Sequence, residues 1–219
     1  MAIEPEPGCQ FDTTEDVIRW FEKQLPESQH RRYLTVCHDI CHSAVMMESQ
    51  SDVLSRFAKA GIAVGKVQVS SAIQVRWDQM SEDRQREAIT QLAAFGEDRY
   101  LHQTGRMTRS GQFELAEDLP LLLAEVQSGK VDLSDEQRWV VHFHVPIFLE
   151  RFGHLETSQS DVLECLKFLS KDSLPPDFTG HLEVETYAWT VLPEAMRQRG
   201  LAEDIANEVS WLQTTLETH

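Results

Sequence analysis

Apolar positions in this chain alternate between two patterns, short continuous runs and stretches of helical period. Ala2-Ile3 is a stub of apolar chain that ends at once in Glu4-Pro5-Glu6-Pro7-Gly8. Thr13 or Thr14 then caps a helix carrying Val17, Ile18, Phe21 and Leu25 on one face, and Pro26 stops it. Residues 33–37 read as a buried strand running into His38-Asp39-Ile40-Cys41-His42. Ser51 or Asp52 caps the next helix, in which Val53, Leu54 and Phe57 recur at helical spacing before Gly61. Residues 62–69 form a third strand signal, closed by Ser70-Ser71.

Ser81 opens a helix reaching about Phe95, and residues 100–114 suggest a hairpin with Gly105 and Gly111 near its ends. Residues 119–126 and 158–169 have helical character, the latter closed by Pro175-Pro176. Residues 138–145, stopped by Pro146, and residues 181–186 are the fourth and fifth strand signals, and a helical tail covers 201–216. Five strands separated by helices predict a parallel βα series. No Gly-x-Gly-x-x-Gly follows any strand, so a dinucleotide site has no support. Instead, each strand ends in polar groups: Glu4/Glu6, His38/Asp39/His42, Gln68/Ser70, His142/His144 and Glu183/Glu185. Functional groups gathered at C-terminal strand ends are the arrangement of a (β/α)8 barrel mouth.

Composition narrows the choice of partner. The 219 residues contain 20 Lys plus Arg against 36 Asp plus Glu, a net charge of -16. Such a body repels nucleic acid phosphates unless a basic cleft is segregated, and Arg31-Arg32 and Arg106/Arg109 are isolated pairs. No apolar run approaches the length of a membrane span, and the first residues lack the basic and apolar regions of a secretory signal. Four irregularly spaced cysteines fit reduced thiols, so a cytoplasmic location is expected.

Five segments occur together in order: Ile3 to Cys9, Cys37-His38-Asp39-x-x-His42, Gly65 to Ser71, His142-Phe143-His144-Val145-Pro146, and His181 to Trp189. Across essentially the whole chain they resemble the C-terminal part of the metabolite-traffic proteins of the Ebo gene cluster. That family lies in the xylose-isomerase-like TIM-barrel superfamily, with sugar isomerases, ketose epimerases and family-two apurinic endonucleases. The resemblance implies one domain over residues 1–219, an incomplete barrel with about five of eight strands. The expectation is that the sequence is the C-terminal portion of a longer protein, associating with its missing barrel half or with a second copy.

The resemblance further implies a divalent cation (Mn, Mg, Zn or Fe) held by Glu4, Asp39, His144 and Glu185. Glu6 shares the parity of Glu4 and is the substitute, and an exposed Glu-Pro-Glu-Pro turn is the bland alternative. Asp39 and His42 match the family's Asp-x-x-His, although Asp39 could equally be a helix cap. Glu4, Glu185 and His42 are the candidate catalytic groups, and Gln68, His142, Glu183 and Trp189 the candidate substrate contacts. Gln68 stands where sugar epimerases of the superfamily usually place a metal-binding His. Its neutral amide favours a hydroxyl-rich ligand over a transition metal. Cys37, His38, Cys41 and His42 raise a minor zinc alternative.

Two activities follow as expectations. One is a metal-dependent sugar or sugar-phosphate isomerase or epimerase, moving a proton beside a carbonyl. The other is a non-catalytic binding protein for a small metabolite in an export pathway. An endonuclease is disfavoured by the charge.

Overall fold

The computed structural model describes residues 1–170, 177–185 and 200–218. Strand β1 (Ala2–Ile3) leads to helix α1 (Thr14–Gln24), where Thr13 and Asp16 form a reciprocal capping box and Val17 and Phe21 are buried. Strand β2 (Thr35–Asp39) passes without a loop into a short helix, α2 (Ile40–Val45). Helix α3 (Gln50–Lys59) starts earlier than the expected Ser51 or Asp52, because the Ser49 hydroxyl accepts the Asp52 N–H. Gly61, at φ +64, reverses the chain into β3 (Val64–Val69).

After β3 the chain departs from a simple βα series. It stays extended through Ser70-Ser71 into β4 (Ile73–Arg76), then forms α4 (Glu82–Leu92) and the hairpin β5 (Thr104–Thr108) and β6 (Phe113–Ala116). Helix α5 (Leu119–Gln127), strand β7 (Glu136–Val141), the small hairpin β8 (Arg151–Phe152) and β9 (Leu155–Thr157), and helix α6 (Gln159–Leu169) follow. Strand β10 (Leu182–Val184) and helix α7 (Leu201–Thr218) complete the described elements.

The fold is mixed α/β with two sheets. One is wholly parallel, in the order β1-β2-β3-β10, and the other is antiparallel, in the order β6-β5-β7-β4-β9-β8. Among the described residues no closed barrel forms. The expected fourth parallel strand, residues 138–145, is corrected to β7, antiparallel to both β4 and β5 and ending at Val141. The helices α4 and α5 caused the misreading. Each links two strands that run the same way without being neighbours: β4 and β5 flank the antiparallel β7, and β6 and β7 flank the antiparallel β5. Pro175, Pro176 and Thr186 lie outside the described residues.

Alternation sorts the parallel sheet into two faces. Val36, Val67 and Val69 pack against Val17, Phe21, Leu54, Phe57 and Leu166. The opposite face carries Cys37, Asp39, Lys66, Gln68 and Glu183 in register across three strands. A second core, including Trp77, Trp139, Leu92, Leu119 and Phe143, sits beneath the antiparallel sheet. Cys41, Ala44, Val45, Ala72 and Val140 pack where the sheets meet. No helix among the described residues is long and apolar enough to cross a membrane.

Gly105 fixes how closely those parts approach. It lies inside β5, not at a hairpin end, and a Cβ there would stand 1.8 Å from the Val45 carbonyl oxygen of α2. A backbone atom in a sheet–helix contact cannot swing aside as a side chain would. Gly105→Ala is therefore expected to destabilise the protein by about 3 kcal/mol, read from urea unfolding. A change within experimental error would show that α2 does not rest on β5 as described.

Candidate metal centre

The loop after β1, the β2–α2 junction, the end of β3, the residue after β10 and the segment after β7 converge at one place. Parallel pairing sets Glu4, Asp39, Ser70 and Glu185 at neighbouring C-terminal strand ends, and the Glu185 N–H bonds to the Val69 carbonyl. The turn from β3 to β4 joins this edge to the second sheet. Val145 N–H bonds to the Ser71 carbonyl, Ser158 N–H to the Ala72 carbonyl, and Ala72 N–H to the Ser158 hydroxyl. His142 and His144 thereby arrive over α2.

Asp39 is the hub. Its Oδ1 accepts from the His42 N–H at 2.9 Å and the Ser70 hydroxyl at 2.8 Å, and its Oδ2 accepts from Gln68 Nε2 at 3.0 Å. Ser70 Oγ in turn accepts the Cys41 N–H. The side chain is thus a helix cap and a candidate ligand at once, so the two sequence readings of Asp39 coexist. Burial alone would raise its pKa, but the imidazoles of His42 and His144 and the bonds from the His42 N–H and Ser70 outweigh it, holding Asp39 below the usual carboxylate range.

Glu4, Asp39 and Glu185 offer ligand oxygens that all lie within 4.8 Å of one another, and Asp39, His42 and His144 form a second such group. All four expected metal ligands therefore meet in the overlapping groups. Glu185 Oε2 is buried and receives no hydrogen-bond donor. Burial, followed by the charge of Asp39, raises the Glu185 pKa to about 8. Crowded carboxylates beside neutral donors fit a hard divalent cation, which would supply the missing countercharge.

The imidazoles are held by acceptors. His42 Nδ1 lies 2.9 Å from the Pro5 carbonyl, and His142 Nδ1 lies 2.9 Å from Gln103 Oε1. Both oxygens can only accept, so Nδ1 donates and Nε2 carries the lone pair in each neutral ring. Burial, with the charges of His42 and His144, pushes the His142 pKa well down, and burial likewise lowers that of His144. A gap of about 10 Å³, room for roughly one water molecule, lies beside Pro5, Asp39, His42 and Ser43.

Other candidates are placed differently. Gln68, expected to meet a substrate hydroxyl, is 5% exposed and turned inward. Its Nε2 donates to Glu4 Oε1 at 3.1 Å as well as to Asp39, while its Oε1 accepts from the Cys37 thiol at 3.0 Å. It is a clamp on two carboxylates. Glu183 shares the face of Glu185, but its side chain is 54% exposed and pairs with Lys66 at 2.9 Å, two residues short of the cluster. His38 faces the helices and bonds to Gln50 Oε1 at 2.8 Å. His142 joins the imidazole cluster, its ring centroid 4.7 Å from that of His42. Trp189, like Tyr187, lies outside the described residues.

Sequence reasoning missed that Cys41 Sγ lies within 4.8 Å of ring nitrogens of His142 and His144. The near neighbours Cys37 and His38 were weighed instead, whereas the imidazoles that gather within 4.8 Å of Cys41 lie about a hundred residues along the chain. No protein-family model, curated protein or solved structure matches the chain significantly.

The raised Glu185 pKa has a pH consequence. Between the ordinary value of 4.5 and about 8, the folded chain keeps a proton that the unfolded chain has lost. Cation-free protein therefore loses stability as pH rises through that window, and the effect is absent below it. Glu185→Gln should remove this slope, so the variant gains on the parent progressively toward pH 8 in urea unfolding. Parallel stability curves would contradict the assignment.

Proposed function

We propose that the chain is a divalent-cation-dependent enzyme acting on a small polar metabolite, of the isomerase or epimerase type. The observation that carries this reading is the convergence of Glu4, Asp39 and Glu185 on one small space at the C-terminal strand ends. In this reading the parallel sheet is an arc of a xylose-isomerase-like barrel. Its polar face, with Lys66 and Glu183 open to solvent, is where further βα units or a second copy would pack.

Glu4, Asp39 and Glu185 would hold the cation, with the imidazole of His144 as a further donor. The bound cation would polarise a carbonyl or hydroxyl oxygen of the metabolite. Gln68 and Ser70 keep the carboxylates aimed, so little rearrangement accompanies binding. Glu4, the most exposed of the three, faces the incoming molecule. His42, anchored through Nδ1 to Pro5, presents an Nε2 lone pair that takes a proton from the carbon beside the carbonyl and returns it.

Two measurements test this. Purified protein should contain a stoichiometric divalent metal, and Gln68→Ala should weaken manganese binding by about 10- to 100-fold, as loss of an orienting partner does elsewhere. Candidate ketoses and their phosphates should exchange a carbon-bound hydrogen with deuterated solvent, chelator should stop the exchange and manganese should restore it. Bound metal without exchange into any candidate would replace the enzyme by a metabolite-binding protein. Failure to bind metal at all would overturn both the centre and the activity.

A further inference from the structure

We propose that Cys41, His142 and His144 form a second cation site, of thiolate–imidazole character and suited to zinc, beside the carboxylate centre. This inference builds on the proposed function but rests on different side chains. Cys41 Sγ and one ring nitrogen from each histidine lie within 4.8 Å of one another. They come from two separate parts of the chain, α2 and the segment after β7. Both parts are fixed, the first by the Asp39 cap and by Gly105, the second by the Val145 N–H bond to Ser71.

The donor set differs in kind from the neighbouring one. Carboxylates suit hard cations, whereas one thiolate and two imidazoles suit a borderline-soft ion such as zinc. Three protein donors also leave one tetrahedral position open, the pattern of zinc sites that take a water or substrate atom. His142 has the orientation a ligating histidine needs, because Gln103 Oε1 accepts its Nδ1–H and leaves Nε2 available.

Buried packing of a small thiol is the bland account of Cys41, which is fully buried with Ala44, Val45, Ala72 and Val140. The rings of His42, His142 and His144 gather with centroids 4.7 to 6.1 Å apart, next to that thiol. His42 and His142 each spend Nδ1 on an oxygen acceptor, of Pro5 and of Gln103, which turns the Nε2 of each toward the others. His144 belongs to both groups of donors, so the two centres would adjoin through it, and His42 keeps its Nε2 lone pair for the proton transfer.

Cobalt(II) titration of the metal-free full chain tests the site, because cobalt bound to a thiolate absorbs in the near ultraviolet and cobalt bound only to oxygen and nitrogen does not. The expected result is a thiolate-to-cobalt band that saturates at one equivalent and is displaced by one equivalent of zinc. Cys41→Ser and His142→Ala should each lose the band while retaining manganese binding to the carboxylates. Glu185→Gln should weaken manganese binding and keep the band. Cobalt taken up by folded parent protein without a thiolate band would overturn the proposal and leave the carboxylate centre standing. Because the parent spectrum decides the matter, a poorly folded Cys41 variant cannot obscure it. Loss of manganese binding in the parent, with the band present, would instead sink the carboxylate centre alone.

Discussion

The buried charge of Asp39 is the constraint around which the rest is arranged. A carboxylate 2% exposed is strongly unfavourable unless its oxygens are bonded and its charge is balanced. The chain supplies the bonds from three directions: the first turn of α2, the hydroxyl of Ser70 and the amide of Gln68. Each of those groups is fixed by something else. Gln68 is held by Cys37 and Glu4, Ser70 by the Cys41 N–H, and α2 by its contact with β5. Removing the carboxylate would leave several buried donors without acceptors, so its role in folding and its role in the site are not separable.

Balance of that charge links the two sheets. The parallel sheet brings acids to one edge, and the antiparallel sheet delivers imidazoles to the same edge. Ser70 to Ala72 is where they meet, because β3 continues into β4 with almost no loop and the 145 and 158 backbones bond back to it. Glu185 reports that the balance is incomplete in the protein alone. Its buried oxygen has no donor, and its affinity for a proton is raised until a proton stands in for a missing positive charge. A bound divalent cation would supply that charge more fully and displace the proton.

Much of the site was legible in the chain because strand ends and parity are local properties. Asp39 after an apolar run, Glu4 after Ala2-Ile3 and Glu185 beside Val184 were identifiable without knowing how the strands pair. The second sheet was not legible for a physical reason. Helices α4 and α5 have the same spacing of apolar residues whether the two strands they connect are neighbours or have an antiparallel strand inserted between them. The placements of Gln68 and Glu183 were not legible for a related reason. Parity tells which face a side chain occupies, and it does not tell how far along that face the cluster lies or whether a neighbour already uses the group. Cys41 needed the three-dimensional fold, since His142 and His144 follow β7, about a hundred residues further along the chain.

The account as a whole depends on a cation seated among Glu4, Asp39 and Glu185. Crystals of the full chain equilibrated with manganese, with anomalous scattering recorded at its absorption edge, test that seat directly. The expected map has a peak bonded to carboxylate oxygens of all three residues at about 2.0–2.2 Å. A well-ordered site with no anomalous peak, and Glu185 still carrying a proton shared with Asp39, would contradict it.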